Sequence, residues 1–474
     1  MQTEIFEQFP LDSGRWNRGG SYYQIVLNFD TEGINMTERM NDWDLIGIGF
    51  GPAGIALATA MSDDDEKQGE EQVRRLFIEK SESSAWQPDM LLPRTDIQHH
   101  FLRDFATPRD PRSRFTFSNY LVEKDRLFSF GHLGGVPGRI EWSDYVQWCA
   151  KQLADRTWYR HQVTGVRPLW SGGTIDRLQV TVQNLHTSET KELMTRHLAV
   201  NVGRIPFVPK IYRPYLGSQI FHSHQFLSRL KVLEVGDSPT FAVVGSGQNA
   251  IEVILSLIER FPQAEIYSIN RNLGFRLVDM GHFSNEVFFP AFTDYFYQLP
   301  AASRKELFEK MKATNYSVVD FDVSQALYWK VYEDRVQGKE RIHVTRCTQV
   351  ADLDEREGRY SLTLEDLYTK STHNITADAV ILCTGFQEEK VPRVLKSMEP
   401  YLIKDEEGGL EITRDYQIQT RDLVRSRLFI NGLTERTHGI SDSTSFSMMA
   451  LKAQRIYDKL KEERLSSIMQ EVTP

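Results

Sequence analysis

Cysteine is scarce in this chain: three residues in 474, Cys149, Cys347 and Cys383, odd in number and far apart. That excludes a disulfide framework and leaves no C-x-x-C pair for dithiol redox chemistry. A reducing, cytoplasmic setting fits such usage. Long apolar runs are also missing. The longest apolar-rich stretch, residues 45–61, is broken by glycines and reads as strand plus helix rather than as a membrane span. Early Glu4, Glu7 and Asp12, without a basic start and an apolar stretch, argue against a signal peptide. Positive charge is in deficit, with 56 Lys and Arg against 65 Asp and Glu and a net charge of −9. That balance argues against nucleic acid or an anionic membrane as the main partner. Beyond two related glycine turns, the chain has no internal repeat and no low-complexity tract.

Those turns are the most informative feature present. The first reads Asp44-Leu-Ile-Gly-Ile-Gly-Phe-Gly-Pro-Ala-Gly54, and the second Phe241-Ala-Val-Val-Gly-Ser-Gly-Gln-Asn-Ala250. Each follows an apolar run and leads into another of helical character, the opening of a dinucleotide-binding βαβ unit. Two in one chain imply two bound nucleotides, most economically a flavin that takes hydride from a nicotinamide. The fold class expected is α/β, with two Rossmann-like domains and a smaller substrate-binding region.

The pyrophosphate contacts fall to Gly49, Gly51, Pro52 and Gly54 in the first turn, and to Gly245, Gly247, Gln248 and Asn249 in the second. A side chain on the glycines would obstruct the tight turn and the close approach of the phosphate. Glu79 ends the apolar run after residue 73, where such folds place the acid that accepts ribose hydroxyls. In the second unit the corresponding place holds Arg271, with Arg276 nearby, which suits a 2′-phosphate and hence NADPH.

The expected organisation is a poorly ordered arm over 1–40, an FAD-binding domain from 41–205 and 378–474, an NADPH-binding domain over 206–345, and part of a substrate-side region over 346–377. The late apolar run Val380-Ile-Leu-Cys-Thr-Gly-Phe386 is assigned to the FAD domain. Translation from Met36 or Met40 is an alternative to a family-specific arm.

Further segments carry a resemblance. Met90-Leu-Leu-Pro93, Ile97-Gln-His-His-Phe-Leu-Arg-Asp-Phe-Ala-Thr-Pro-Arg-Asp-Pro111, Phe115-Thr-Phe-Ser-Asn-Tyr-Leu121, Asn285-Glu-Val-Phe288, Phe292-Thr-Asp294, Thr314-Asn-Tyr-Ser-Val-Val-Asp320 and Thr437-His-Gly-Ile-Ser-Asp442 stand in order. Together they resemble the flavin-dependent ornithine and lysine N-monooxygenases of siderophore assembly, from about residue 42 to about 460. The resemblance implies FAD reduced by NADPH, oxygen captured as a C4a-hydroperoxyflavin, and attack by a neutral side-chain amine. It implies no metal and no protonic catalytic triad. It places Gln98 by the flavin, Gln248 in the nicotinamide loop, and Asn285 and Asn315 on the amino-acid substrate, Asn315 also reaching the nicotinamide nucleotide. Such enzymes often form tetramers.

The chain departs from that pattern at the substrate. Arg103 stands where the family has lysine, His99 and His100 replace small or apolar residues, and the substrate serine falls on Ser447, with Ser445 as neighbouring choice. Ornithine, lysine, a decarboxylated diamine and an unusual amino acid all stay open as substrates. A Baeyer–Villiger or sulfide-oxygenating flavoprotein is one rival reading, which leaves the Asn285 and Asn315 segments unexplained; a non-catalytic flavoprotein is the other, which predicts bound FAD without substrate-stimulated oxygen use.

Overall fold

The computed structural model describes residues 42–442 and 445–472, with side chains up to 462. The arm expected over 1–40, with Met36 and Met40, lies outside the described residues. Strand β1 (Asp42–Ile48) runs through the first glycine turn into helix α1 (Pro52–Gln68) and returns as β2 (Arg75–Ile78). The last four residues of β1 and all of β2 are buried, as expected for parallel strands covered on both faces. After a stretch of loops and short helices come helix α2 (Arg139–Lys151), the short β3 (Thr157–Trp158), and the long strands β4 (His161–Ser171), β5 (Thr174–Asn184) and β6 (Thr190–Val200). The sheet order is β3-β2-β1-β6-β5-β4. β1 pairs in parallel with both β2 and β6, whereas β4, β5 and β6 are antiparallel.

The second sheet is parallel throughout. It holds β7 (Ile220–His222), β8 (Thr240–Val244), β9 (Glu265–Ile269), β10 (Ile342–Val344) and a later strand. Helix α3 (Gln248–Arg260) follows the second glycine turn and buries Ala250, Val253, Ile254 and Leu257, one stripe at helical spacing, against this sheet. Helix α4 (Phe321–Val336) packs beside it through Val323, Leu327 and Val331.

One expectation is corrected here. The apolar run at 380–386 belongs to the second sheet. Its strand, β14 (Ala379–Leu382), lies between β8 and β7, with Val380 opposite Ala242 and Ile220. A strand buried on both faces has no polar side to show which sheet it joins. Residues 348–377 form an antiparallel meander, β11 (Thr348–Arg356), β12 (Arg359–Asp366) and β13 (Thr372–Ala377). Leu353, Leu362, Leu364 and Ile375 of this meander pack onto Ala242, Ile269 and Val380 of the second sheet.

Ile205–Pro206 pairs antiparallel with Phe386–Gln387, so the chain enters and leaves the second domain side by side. A final strand, β15 (Leu428–Ile430), rejoins β6, and helix α5 (Met449–Val472) packs on α1. No helix among the described residues is long and apolar enough to cross a membrane.

Candidate active site

The first turn is shaped by backbone constraint. Gly49 has φ +93°, a region that strains any side chain, and a Cβ there would lie 3.2 Å from the Asn201 carbonyl. A Cβ on Gly54 would lie 2.4 Å from the Gly49 carbonyl, so α1 could not sit this close to β1 with any other residue. At Gly51 a Cβ would meet nothing within 4 Å, and α1 starts directly after it with no side-chain cap and Pro52 in its first turn. An open approach to uncapped helix amides fits a pyrophosphate. Glu79 braces the turn, its carboxylate accepting the Phe50 N–H at 2.7 Å and the Ser81 N–H at 2.8 Å. Asn431 donates to Ala53 O at 2.9 Å and to Asn201 Oδ1 at 3.0 Å, tying β15 to the start of α1.

The second turn has the same logic with a different neighbour. Gly245 has φ +150°, and a Cβ there would lie 2.3 Å from the Cys383 carbonyl, which follows β14. Gln248 and Gln98 meet on one residue, Asp320. Gln248 Oε1 accepts the Asp320 N–H at 2.9 Å, and Gln98 Nε2 donates to Asp320 Oδ2 at 2.9 Å. Asn249 reaches Met90 Sδ at 3.6 Å. Beside them Arg139 of α2 makes a two-pronged pair with Glu252 of α3, at 2.8 and 2.9 Å, with both residues buried. The two nucleotide units are thus joined by specific polar contacts. Asp320, Arg139 and Glu252 were not singled out from sequence, although Asp320 closes the quoted Asn-Tyr-Ser-Val-Val-Asp segment.

The substrate candidates are only partly assembled by local contacts. Arg103 Nη1 donates to Ser447 Oγ at 2.9 Å, and Ser445 Oγ lies 2.8 Å from Ser447 Oγ. The Arg103 guanidinium sits 5.6 Å from the Phe288 ring, which ends the short helix Ser284–Phe288 carrying Asn285. Burial lowers the Arg103 pKa from its ordinary value. The turn bearing Arg103 is fixed by Asp104, a fully buried carboxylate that accepts the Ala106 N–H at 2.9 Å and the Phe117 N–H at 2.7 Å. Asn285 spends its amide protons locally, on the Asp279 and Gly281 carbonyls at 2.8 and 2.9 Å, so its remaining polar atom, Oδ1, is an acceptor. Asn315 follows the short helix Lys312–Thr314, its N–H bonded to Lys312 O at 3.1 Å.

His99 packs edge-on to Trp142 at 5.2 Å and near Phe446 at 5.4 Å, and burial pushes its pKa down to about 4. His100 lies against Phe101. His99 thus packs among aromatic rings, with burial favouring its neutral form.

A cleft of about 900 Å³ lies beside Asn315, lined by Arg276, Lys312, Tyr316, Arg204, Glu435 and Phe275 among others. Both Arg271, just after β9, and Arg276 are exposed; Arg276 lines the cleft, and the charge of Arg271 acts on Tyr212. Arg204 Nη1 donates to the Tyr316 hydroxyl at 2.6 Å, and that hydroxyl donates to Glu435 Oε1. Burial, opposed by the Arg204 charge, pushes Glu435 up to about 7. Sequence reasoning missed this trio because residues 204, 316 and 435 meet only in the fold.

Comparison with known proteins matches this geometry. Residues 41–388 fit the family model described as L-lysine 6-monooxygenase/L-ornithine 5-monooxygenase. The chain is 34% identical over 409 residues to an L-ornithine N(5)-monooxygenase of Burkholderia cepacia, covering 85% of this chain and 91% of that one. Among solved structures it resembles an ornithine N-hydroxylase of Kutzneria sp. 744 described with reduced FAD, NADP+ and L-ornithine. There the TM-score is 0.84 and the identity 28%, over 89% of this chain and all of the other (100%). It also resembles an L-lysine 6-monooxygenase of Pseudomonas syringae, with TM-score 0.79 and 38% identity over 89% of this chain and 99% of that one. The chain therefore belongs to the L-lysine 6-monooxygenase/L-ornithine 5-monooxygenase family and is an FAD- and NADPH-dependent N-hydroxylating monooxygenase.

Proposed function

We propose that the chain hydroxylates the side-chain primary amine of an α-amino acid, L-ornithine first and L-lysine next. The observation that carries this reading is the Arg103–Ser447 contact at 2.9 Å, beside the helix that bears Asn285. A half-buried guanidinium with a hydroxyl at its side is suited to an α-carboxylate. Asn285 Oδ1 and Asn315 are the partners of the α-ammonium. In this reading Gly49, Gly51, Pro52 and Gly54 hold the FAD pyrophosphate and Glu79 its ribose. Gly245, Gly247 and Asn249 hold the NADPH pyrophosphate, and Gln98 and Gln248 meet the flavin and nicotinamide ends. The loop after β9 supplies cations for the 2′-phosphate, Arg271 and, nearer the cleft, Arg276. When bound, FAD reduced by NADPH supplies the activated oxygen. The protein's part is to hold the amine, orient it and exclude water.

The reaction belongs in the cytoplasm, where NADPH is kept reduced, and its hydroxylamine suits later acylation to a hydroxamate in siderophore or related biosynthesis. Assembly into tetramers accords with the family resemblance. A comparison of hydroxylamine formation from ornithine and lysine with that from putrescine and cadaverine tests the substrate class. Preference for the amino acids supports the Arg103 assignment. Preference for the diamines, which carry no carboxylate, removes it.

A further inference from the structure

Glu435 is left without a task by that assignment of residues, although its position is unusual for an acid. It opens the short helix Glu435–His438, is only 6% exposed, and still lines the cleft. Several elements converge on its carboxylate. Arg204, beyond β6, brings Nη1 to 4.0 Å from Oε2. Tyr316, the residue after Asn315, donates its hydroxyl to Oε1 while accepting from Arg204. Glu388 accepts the Glu435 N–H at 3.3 Å and adds negative charge, and Lys312 adds positive charge from the cleft wall. The hydroxyl of Tyr316 is therefore connected to a carboxylate, and the residue itself lines the cleft.

We propose that Glu435 is the proton acceptor of this site, taking through the Tyr316 hydroxyl the proton that the substrate's side-chain ammonium must lose. The inference rests on the amine-hydroxylation reading above. One N–H bond of the ammonium breaks, its electron pair stays on nitrogen, and the proton passes to the Tyr316 oxygen. The proton already on that oxygen passes to Glu435 Oε1. An ammonium and a carboxylate become an amine and a carboxylic acid, Tyr316 is unchanged, and nothing is oxidised or reduced. The Tyr316 proton leaves for Glu435 as the substrate's proton arrives, and Arg204 steadies the negative charge that develops on the tyrosine oxygen. A Glu435 value pushed up to about 7 by burial makes the group an acceptor matched to neutral and mildly alkaline pH.

The bland alternative is that Arg204, Tyr316 and Glu435 only fasten two chain segments, and a pH profile separates the two. The wild-type holoenzyme, saturated with ornithine and NADPH, should show hydroxylamine formation rising through about pH 7. In Glu435→Gln that rise should disappear and the profile move toward the free amine's ionisation near about 10.4. The rate at neutral pH should fall by roughly 100-fold or more. NADPH-driven flavin reduction, read separately by absorbance in the absence of oxygen, should stay near the wild-type rate. Tyr316→Phe removes only the relay oxygen and should reproduce the altered profile, so the test survives a Glu435→Gln protein that fails to fold. Formate, a small carboxylate base, should partly restore Glu435→Gln. A variant profile of unchanged shape and merely lower amplitude overturns the proposal and leaves the fastener. A wild-type enzyme that forms no hydroxylamine from any amino acid overturns the functional reading and this inference together.

Discussion

Replacing Arg103 by alanine removes a half-buried guanidinium, its 2.9 Å bond to Ser447 and its contact with the Phe288 ring. If that guanidinium holds the substrate carboxylate, the variant loses one charge-assisted interaction of about 1.5–3 kcal/mol, a rise of roughly 10- to 150-fold in the KM for ornithine. Reduction of the flavin by NADPH should change little, because Arg103 lies on the turn fixed by Asp104 and makes none of the contacts around Asp320. Arg103→Lys keeps a charge but not the planar fork, so it should fall between the two and shift the preferred chain length. The assay pairs steady-state product formation over a range of ornithine concentrations with stopped-flow flavin reduction. A KM within about threefold of wild type, or an equal loss in the reduction step, refutes the carboxylate assignment.

Two further outcomes are expected. Arg276→Ala should weaken NADPH more than NADH in flavin-reduction titrations, and more than Arg271→Ala does, since Arg276 lines the cleft; equal losses for the two nicotinamides would remove the 2′-phosphate role. The second concerns acid. Burial holds His99, His222 and His438 near about 4 and His197 near about 3, against an ordinary 6.5. The unfolded chain therefore binds protons first as pH falls, and the stability from these groups is full above about 6.5 and declines toward 4. Urea midpoints should drop between about pH 7.5 and about pH 5; an unchanged midpoint contradicts it.

What the sequence reveals and what it hides have physical causes. Gly49, Gly54 and Gly245 are legible because each answers a backbone constraint, a positive φ or a carbonyl closer than a Cβ allows, that few other residues can meet. The strand Ala379–Leu382 is misassigned from sequence because its four residues are all buried, and uniform burial carries no signature of its sheet. Gln98 and Gln248 are visible through the resemblance, but their common partner Asp320 needs the fold, being 222 and 72 residues away. The Arg139–Glu252 pair and the Arg204–Tyr316–Glu435 trio are hidden likewise, since no local spacing links them. His99 and His100 stand out as departures beside Arg103, and the structure gives His99 a packing role that composition alone could not distinguish from a substrate contact.

The central claim is tested most directly by incubating the FAD-loaded protein with NADPH, L-ornithine and heavy-isotope oxygen, then reading the product by mass spectrometry. The account predicts a side-chain hydroxylamine carrying one labelled oxygen atom, formed in step with NADPH consumption. NADPH oxidation that yields only hydrogen peroxide, with ornithine and lysine both unchanged, would contradict it.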